Sequence, residues 1–178
     1  QTETCVMLFN NEWLTPKPGA MGMPAAGWNI SLLDERGRAI SDANTVGEIC
    51  VSIKDNKPIG LFQGYHKNEK QTSNVNRDGY YHTGDMAYRD SDGYYWFVGR
   101  NDDLIKTSGY RVSPFEVESV LMEHPSVREV AVTGIPDKSR GMAVKATIVL
   151  NKYFQPTDAL VRQIQDHVKS HTAHYKCP

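Results

Sequence analysis

Apolar and polar residues alternate with a period of two through most of residues 15 to 101. "WNISLLD" alternates around Ile30 and Leu32, and "ERGRAI" turns at Gly37. "GEICVSI" resumes the pattern with Ile49, Val51 and Ile53 on one face. In "DGYYHTGDMAYRDSDGYYWFVGR", Asp-Gly pairs flank aromatic-rich runs, the signature of strands joined by tight turns. Short strands at this spacing predict a β-rich, barrel-like subdomain for this part of the chain. After residue 102 the period changes. Ser113-Pro114-Phe115-Glu116 reads as a helix start, with Ser as N-cap, Pro in the first helical position and Glu closing a capping box. Val117, Val120 and Leu121 supply an apolar face until His124-Pro125 stops it. "VREVAVTGIP" and "MAVKATIVL" read as strands, the second with Val144, Ala146, Ile148 and Leu150 alternating. Thr157 caps a last helix with Leu160, Val161, Ile164 and Val168 on one side. The expectation is therefore two parts. Residues 1–101 form the β-rich part, and 102–178 form a small α+β domain, a three-stranded sheet with flanking helices.

Composition narrows the partners. With 178 residues, 23% of them charged and a net charge of -1, nothing favours nucleic acid or an anionic membrane. No run approaches the ~20 apolar residues of a membrane span. Three scattered cysteines, Cys5, Cys50 and Cys177, suggest neither a disulfide framework nor a zinc ligand set. Reduced thiols fit a cytoplasm-like compartment, or an organelle matrix in a eukaryote. Gln1-Thr2-Glu3-Thr4 reads as the interior of a longer chain, so a piece of a larger protein is expected.

Several side chains are suited to a phosphorylated ligand. The Asp85 carboxylate can accept both hydroxyls of a vicinal diol such as a ribose, and Gly84 beside it admits a close approach to the backbone. Taken alone, Thr-Gly-Asp reads first as a structural turn. Arg100 offers a planar two-point donor for phosphate or ribose oxygens, or a surface ion pair with Asp102 or Asp103. "KTSGYR" suits either a ligand-bearing turn or a ligand-free hairpin at Gly109. Arg140, in "DKSRGM", is a basic residue on a loop.

Together, "QTET", "YYHTGD", "GRNDDLIKTSGYR", "EVESVL" followed by "HPSVREVAVTGIPD", and "AHYKCP" occur in one order at one spacing. The set resembles the adenylate-forming (AMP-binding) superfamily, and within it the medium-chain acyl-CoA synthetases. The resemblance covers essentially the whole chain. It implies an acid–thiol ligase that activates a carboxylic acid with ATP and Mg²⁺ as acyl-AMP and diphosphate, then passes the acyl group to coenzyme A. Such chemistry rests on positioning and charge neutralisation between anions.

Carried over by position, the resemblance implies that Thr2 touches phosphate, Glu3 holds Mg²⁺, Asp85 and Arg100 reach the ribose, and Arg111 lies on the ATP side. It implies a hinge at Asp102, about which the small domain alternates. Ser108, Gly109 and Tyr110 would line the coenzyme A path, and Arg140 and Lys169 would face that molecule's phosphates. Residues 175–178 resemble a further contact strip, with His174 and Cys177 where the family more often has a proline and an aromatic. The adenylating lysine of the family is expected beyond Pro178, so Lys176 is not that residue, and the isolated 178-residue piece is expected to be inactive. Two alternatives remain at this point: a stand-alone nucleotide or coenzyme A module, and an adenylating relative with another acceptor.

Overall fold

Burial along Gly47–Ser52 departs from simple alternation: Ile49, Cys50 and Val51 are all essentially inaccessible. A strand hidden on both faces must lie inside a sheet, and this one does. The computed structural model describes residues 1–178. The chain folds as two compact units, Gln1–Asn101 and Asp102–Pro178.

In the first of these the strands are β1 (Leu8–Phe9), β2 (Met23–Pro24), β3 (Ile30–Leu33), β4 (Gly47–Ser52), β5 (Asn76–Arg77), β6 (Tyr80–Arg89) and β7 (Tyr95–Arg100). A helix, α1 (Glu69–Val75), precedes β5. β1 and β2 form a two-stranded ribbon. The remaining strands form one antiparallel sheet in the order β3-β4-β6-β5, with β7 also paired to β6. The expected barrel does not close. One edge of the ten-residue β6 is shared, with β5 opposite Tyr80–Tyr81 and β7 opposite Asp85–Arg89. The strands that could have closed a barrel thus divide one edge, and β3 ends the sheet on the other side.

The core of this unit is Leu32, Ile49, Val51, Leu61, Tyr81, Ala87 and Tyr95. Its turns follow local chemistry. Asp78 and Gly79 have φ of 54° and 82°, the paired left-handed residues of a two-residue hairpin between β5 and β6. Helix α1 interrupts a stretch read from the sequence as β structure. It has no buried face to leave a periodic signal, and its one marker is Asn68, whose side chain accepts the Gln71 N–H at 3.0 Å.

The second unit contains β8 (Ile105–Thr107), β9 (Tyr110–Val112), α2 (Pro114–Met122), β10 (Val127–Asp137), β11 (Gly141–Leu150) and α3 (Asp158–His171). Its sheet has four strands, β10-β11-β8-β9, not three. The added pair is the hairpin around Ser108 and Gly109, whose φ values of 48° and 83° make a tight turn. That hairpin joins β11 through Thr107 opposite Gly141. Both helix starts are as read from the sequence: Glu116 donates its N–H to Ser113 Oγ at 3.3 Å, and Leu160 to Thr157 Oγ1 at 3.2 Å. Leu160, Ile164 and Val168 are buried against Ile105, Val112, Val117, Leu121, Val132 and Val144. Val161 does not join them. It is 52% exposed, because one residue after Leu160 the helix has turned about 100° off the i, i+4, i+8 stripe.

Leu121 is fully buried in this core. Leu121→Ala should cost about 2–5 kcal/mol by removing apolar contact and leaving a cavity. Val161→Ala, on the exposed face, should stay within about 0.5 kcal/mol. Urea unfolding followed by circular dichroism measures both.

Candidate active site

The Thr83-Gly84-Asp85 segment lies in the middle of β6, where a regular strand is interrupted. Glu48 pairs with Met86 and Cys50 with His82, so Ile49 alone opposes Thr83, Gly84 and Asp85. The extra residues form a bulge, with Gly84 in the left-handed region at φ 74°. Several polar groups freed by this irregularity are taken up by side chains. Glu48 Oε1 accepts the Gly84 N–H at 3.0 Å. Thr83 Oγ1 donates to the Ile49 carbonyl at 2.7 Å and accepts the Asp85 N–H at 3.0 Å. The Gly84 carbonyl accepts the Asn101 N–H at 2.8 Å.

This bend turns Asp85 toward Arg100, its partner across β6 and β7. Arg100 Nη1 lies 3.0 Å from Asp85 Oδ1 and also donates to the Thr83 carbonyl at 2.9 Å. The guanidinium passes so close to Gly84 that a Cβ there would stand 2.7 Å from Nη2. Gly84 is therefore demanded by φ, and a Cβ there would also push the guanidinium aside. Gln1 completes the arrangement. Its Nε2 donates to Asp85 Oδ2 at 2.5 Å and to the Thr83 carbonyl at 2.8 Å, while its Oε1 accepts the Tyr81 hydroxyl at 2.9 Å.

Beside this cluster lies a polar cavity of about 310 Å³, walled by Gln1, Glu3, Tyr81, Thr83, Gly84 and Arg100 among others. The Glu3 carboxylate accepts the Tyr65 hydroxyl at 3.0 Å. Burial, reinforced by Glu3, raises the pKa of both phenols, Tyr65 and Tyr81, so they remain protonated donors. Sequence reasoning missed Gln1, Tyr65, Tyr81 and Glu48. Only Glu48 left a trace there, as a carboxylate at the start of a strand otherwise bound for the core.

Glu48 also reaches the other way. Its Oε2 lies 2.9 Å from His82 Nδ1, which is 3.0 Å from Arg77 Nη2 and 3.4 Å from Cys50 Sγ. His82 Nε2 is buried without a partner. Burial pushes the Cys50 thiol well above its ordinary pKa, and the Glu48 charge adds to the effect.

The other sequence candidates fall as follows. Thr2 is exposed on a short 3-10 turn, Thr2–Thr4, that also carries Glu3. Asp102, exposed, begins the second unit. Arg111 lies on β9 of the second unit, opposite Lys106. Ser108, Gly109 and Arg140 meet at one end of the second sheet, where Ser108 N–H donates to the Arg140 carbonyl at 2.9 Å. Tyr110 stacks on Tyr175 with ring centres 4.0 Å apart. Lys169 is exposed on α3, 3.1 Å from Asp166. Arg100 pairs with Asp85 across the strands.

Residues 116–178 match the family described as the AMP-binding enzyme C-terminal domain. The whole chain is 50% identical to 4-hydroxybutyrate–CoA ligase 1 of Metallosphaera sedula, of which it covers 31%. It is 47% identical to the mitochondrial acyl-coenzyme A synthetase ACSM3 of Rattus norvegicus, again over all of this chain and 31% of that protein. Among solved structures, the anthranilate CoA ligase AuaEII in complex with anthranoyl-AMP superposes with a TM-score of 0.80 at 38% identity. That match covers 92% of this chain and 30% of the other. The chain thus spans about a third of the length of the relatives it matches.

Two outcomes test this geometry. Gly84→Ala should destabilise the chain by about 1–3 kcal/mol through left-handed strain and the contact with Arg100. In an Arg100→Ala background the same change should cost less, because only the strain remains. Iodoacetamide should label exposed Cys5 in the native chain and spare Cys50 until denaturant is added, as read by peptide mass spectrometry.

Proposed function

Since the chain belongs to the adenylate-forming superfamily and matches acyl-CoA synthetases along its whole length, we propose that it acts as the nucleotide- and thiol-facing part of an ATP-dependent acyl-CoA ligase. The ligase joins a carboxylic acid to AMP with release of diphosphate, then transfers the acyl group to coenzyme A. The observation that carries this reading is the Asp85–Arg100 pair, held over the Gly84 bulge at the rim of a polar cavity.

Asp85 has acceptor capacity beyond its bonds to Gln1 and Arg100, since an ionised carboxylate offers about four lone-pair sites. It grips the ribose hydroxyls, and Arg100 reaches the same sugar. Thr2 touches phosphate, and Arg111 serves the nucleotide from the second unit. The hard carboxylate oxygens of Glu3 suit Mg²⁺, and the Tyr65 hydroxyl holds one of them in place. When bound, the ion would offset phosphate charge. Ser108, Gly109 and Tyr110 line the coenzyme A path, with Arg140 and Lys169 toward its phosphates and Asp102 as the pivot of domain alternation. The acid is of the medium-chain class. Identity to a 4-hydroxybutyrate ligase favours a shorter, hydroxylated acid as the second reading, and thioester formation from butyrate, 4-hydroxybutyrate, hexanoate and octanoate separates the two. The site of action is the cytoplasm or an organelle matrix; no helix of the chain is long and apolar enough to cross a membrane.

In the enzyme carrying this segment, Asp85→Ala should lower kcat/KM for ATP in ATP–diphosphate exchange by about tenfold to a hundredfold, the worth of one or two charge-assisted hydrogen bonds. Unchanged exchange would remove Asp85 from the nucleotide site. Asp102→Pro should cut thioester formation far more than exchange, because proline fixes φ at the pivot. Equal losses in both half-reactions would end the hinge assignment. Calorimetric titration with coenzyme A should show weaker binding in Arg140→Ala.

A further inference from the structure

At the far side of α2 and α3 the second unit carries a cluster that nucleotide or thiol handling does not require. Glu123 closes the C-terminus of α2, and His167 and His171 stand one turn apart on the last turns of α3. One ligand atom from each of the three lies within 4.8 Å of the others. The two imidazole rings are 4.1 Å apart, and His124 packs its edge 5.3 Å from His167.

The hydrogen bonds fix which nitrogen of each ring is open. His167 Nε2 is 3.1 Å from the Val120 carbonyl, an acceptor, so Nε2 carries the proton and Nδ1 keeps its lone pair. His171 Nδ1 is 2.8 Å from the His167 carbonyl, again an acceptor. Ser170 Oγ, 3.0 Å from the same Nδ1, already gives its proton to the His167 carbonyl at 2.8 Å and so also accepts. His171 Nδ1 is therefore the protonated nitrogen and Nε2 is open. Each ring thus gives one N–H to a backbone carbonyl and offers the other nitrogen, the arrangement in which histidines ligate metals. The electrostatics agree, because the C-terminal ends of both helices carry partial negative charge.

We infer that Glu123, His167 and His171 form a surface site for a divalent transition-metal ion of the zinc class, joining the end of α2 to the end of α3. Two imidazoles and one carboxylate match zinc's preference for nitrogen and oxygen donors. They are a poor set for Mg²⁺ or Ca²⁺, which take oxygen. Tetrahedral ligands about Zn²⁺ stand roughly 3.3 Å apart, so the side chains close inward on binding. Glu123 is exposed and can adjust, while the Nδ1 bond keeps His171 Nε2 presented. Three protein ligands leave one position for water or an outside group. The chain's other compact His/Cys/Glu group is unsuited. At Glu48, Cys50 and His82 the Arg77 guanidinium already occupies the shared imidazole nitrogen, and the thiol stays protonated. This site is independent of the proposed ligase activity.

Isothermal titration of the untagged chain with ZnCl₂ tests it. One saturable equivalent is expected, with no heat from MgCl₂. His171→Ala, Glu123→Gln and His167→Gln should each weaken binding at least about tenfold, whereas His174→Ala should leave it unchanged. Co²⁺ titration should give visible d–d bands without the strong near-ultraviolet thiolate charge-transfer band. The absence of saturable Zn²⁺ binding in the micromolar range would overturn the site. So would binding that survives His171→Ala, or binding lost on Cys5→Ser or Cys177→Ser instead.

Discussion

The first unit is organised around one backbone irregularity, the left-handed residue at Gly84 in the middle of β6. A regular strand would carry Thr83 and Asp85 on one face and continue its ladder to β4. Here Ile49 opposes three residues, and the ladder is repaired by side chains. Glu48 takes the Gly84 N–H and Thr83 bridges to Ile49 and Asp85. The gain is directional. The bulge aims an acid at an arginine on the next strand, whose guanidinium passes close over Gly84. Bulges concentrate beside active sites because they re-aim side chains that a flat sheet could not bring together.

This constraint also explains why β4 is buried on both faces. Ile49 and Val51 face the apolar core. Glu48 and Cys50 face a polar layer that includes His82 and Arg77. Through its two oxygens, Glu48 links that layer to the Gly84 turn. His82 Nε2 is buried and has no partner within the chain.

The sequence made the helical half easy to read. Ser113-Pro114 and Thr157 are side-chain caps whose effect is local, and Leu160, Ile164 and Val168 repeat at helical spacing. Asp85 and Arg100 stand out only through the family resemblance; taken alone, Thr83-Gly84-Asp85 reads as a turn and Arg100 as a surface ion pair. Other features depended on distant residues and left little local signal. The four-stranded second sheet rests on a short hairpin joining β11 through Thr107. The open first sheet rests on two strands sharing an edge of β6, a matter of register that composition does not encode. Gln1, 84 positions from Asp85, has no pattern that announces its bond.

Polar groups converge on the Asp85–Arg100 pair beyond what a sheet needs. A purely structural Asp85–Arg100 pair would need nothing further, since cross-strand ion pairs on a sheet contribute little by themselves. Yet Gln1, braced by the buried Tyr81 hydroxyl, is arranged around this one, with the half-buried Tyr65 and its carboxylate partner Glu3 at the same cavity. Acids and neutral donors are concentrated there, with Arg100 and Arg77 the arginines in its wall. A triphosphate needs more positive charge than that. The wall of this cavity is thus built mainly of acceptors and neutral donors, a set matched to hydroxyl groups more than to a run of anions.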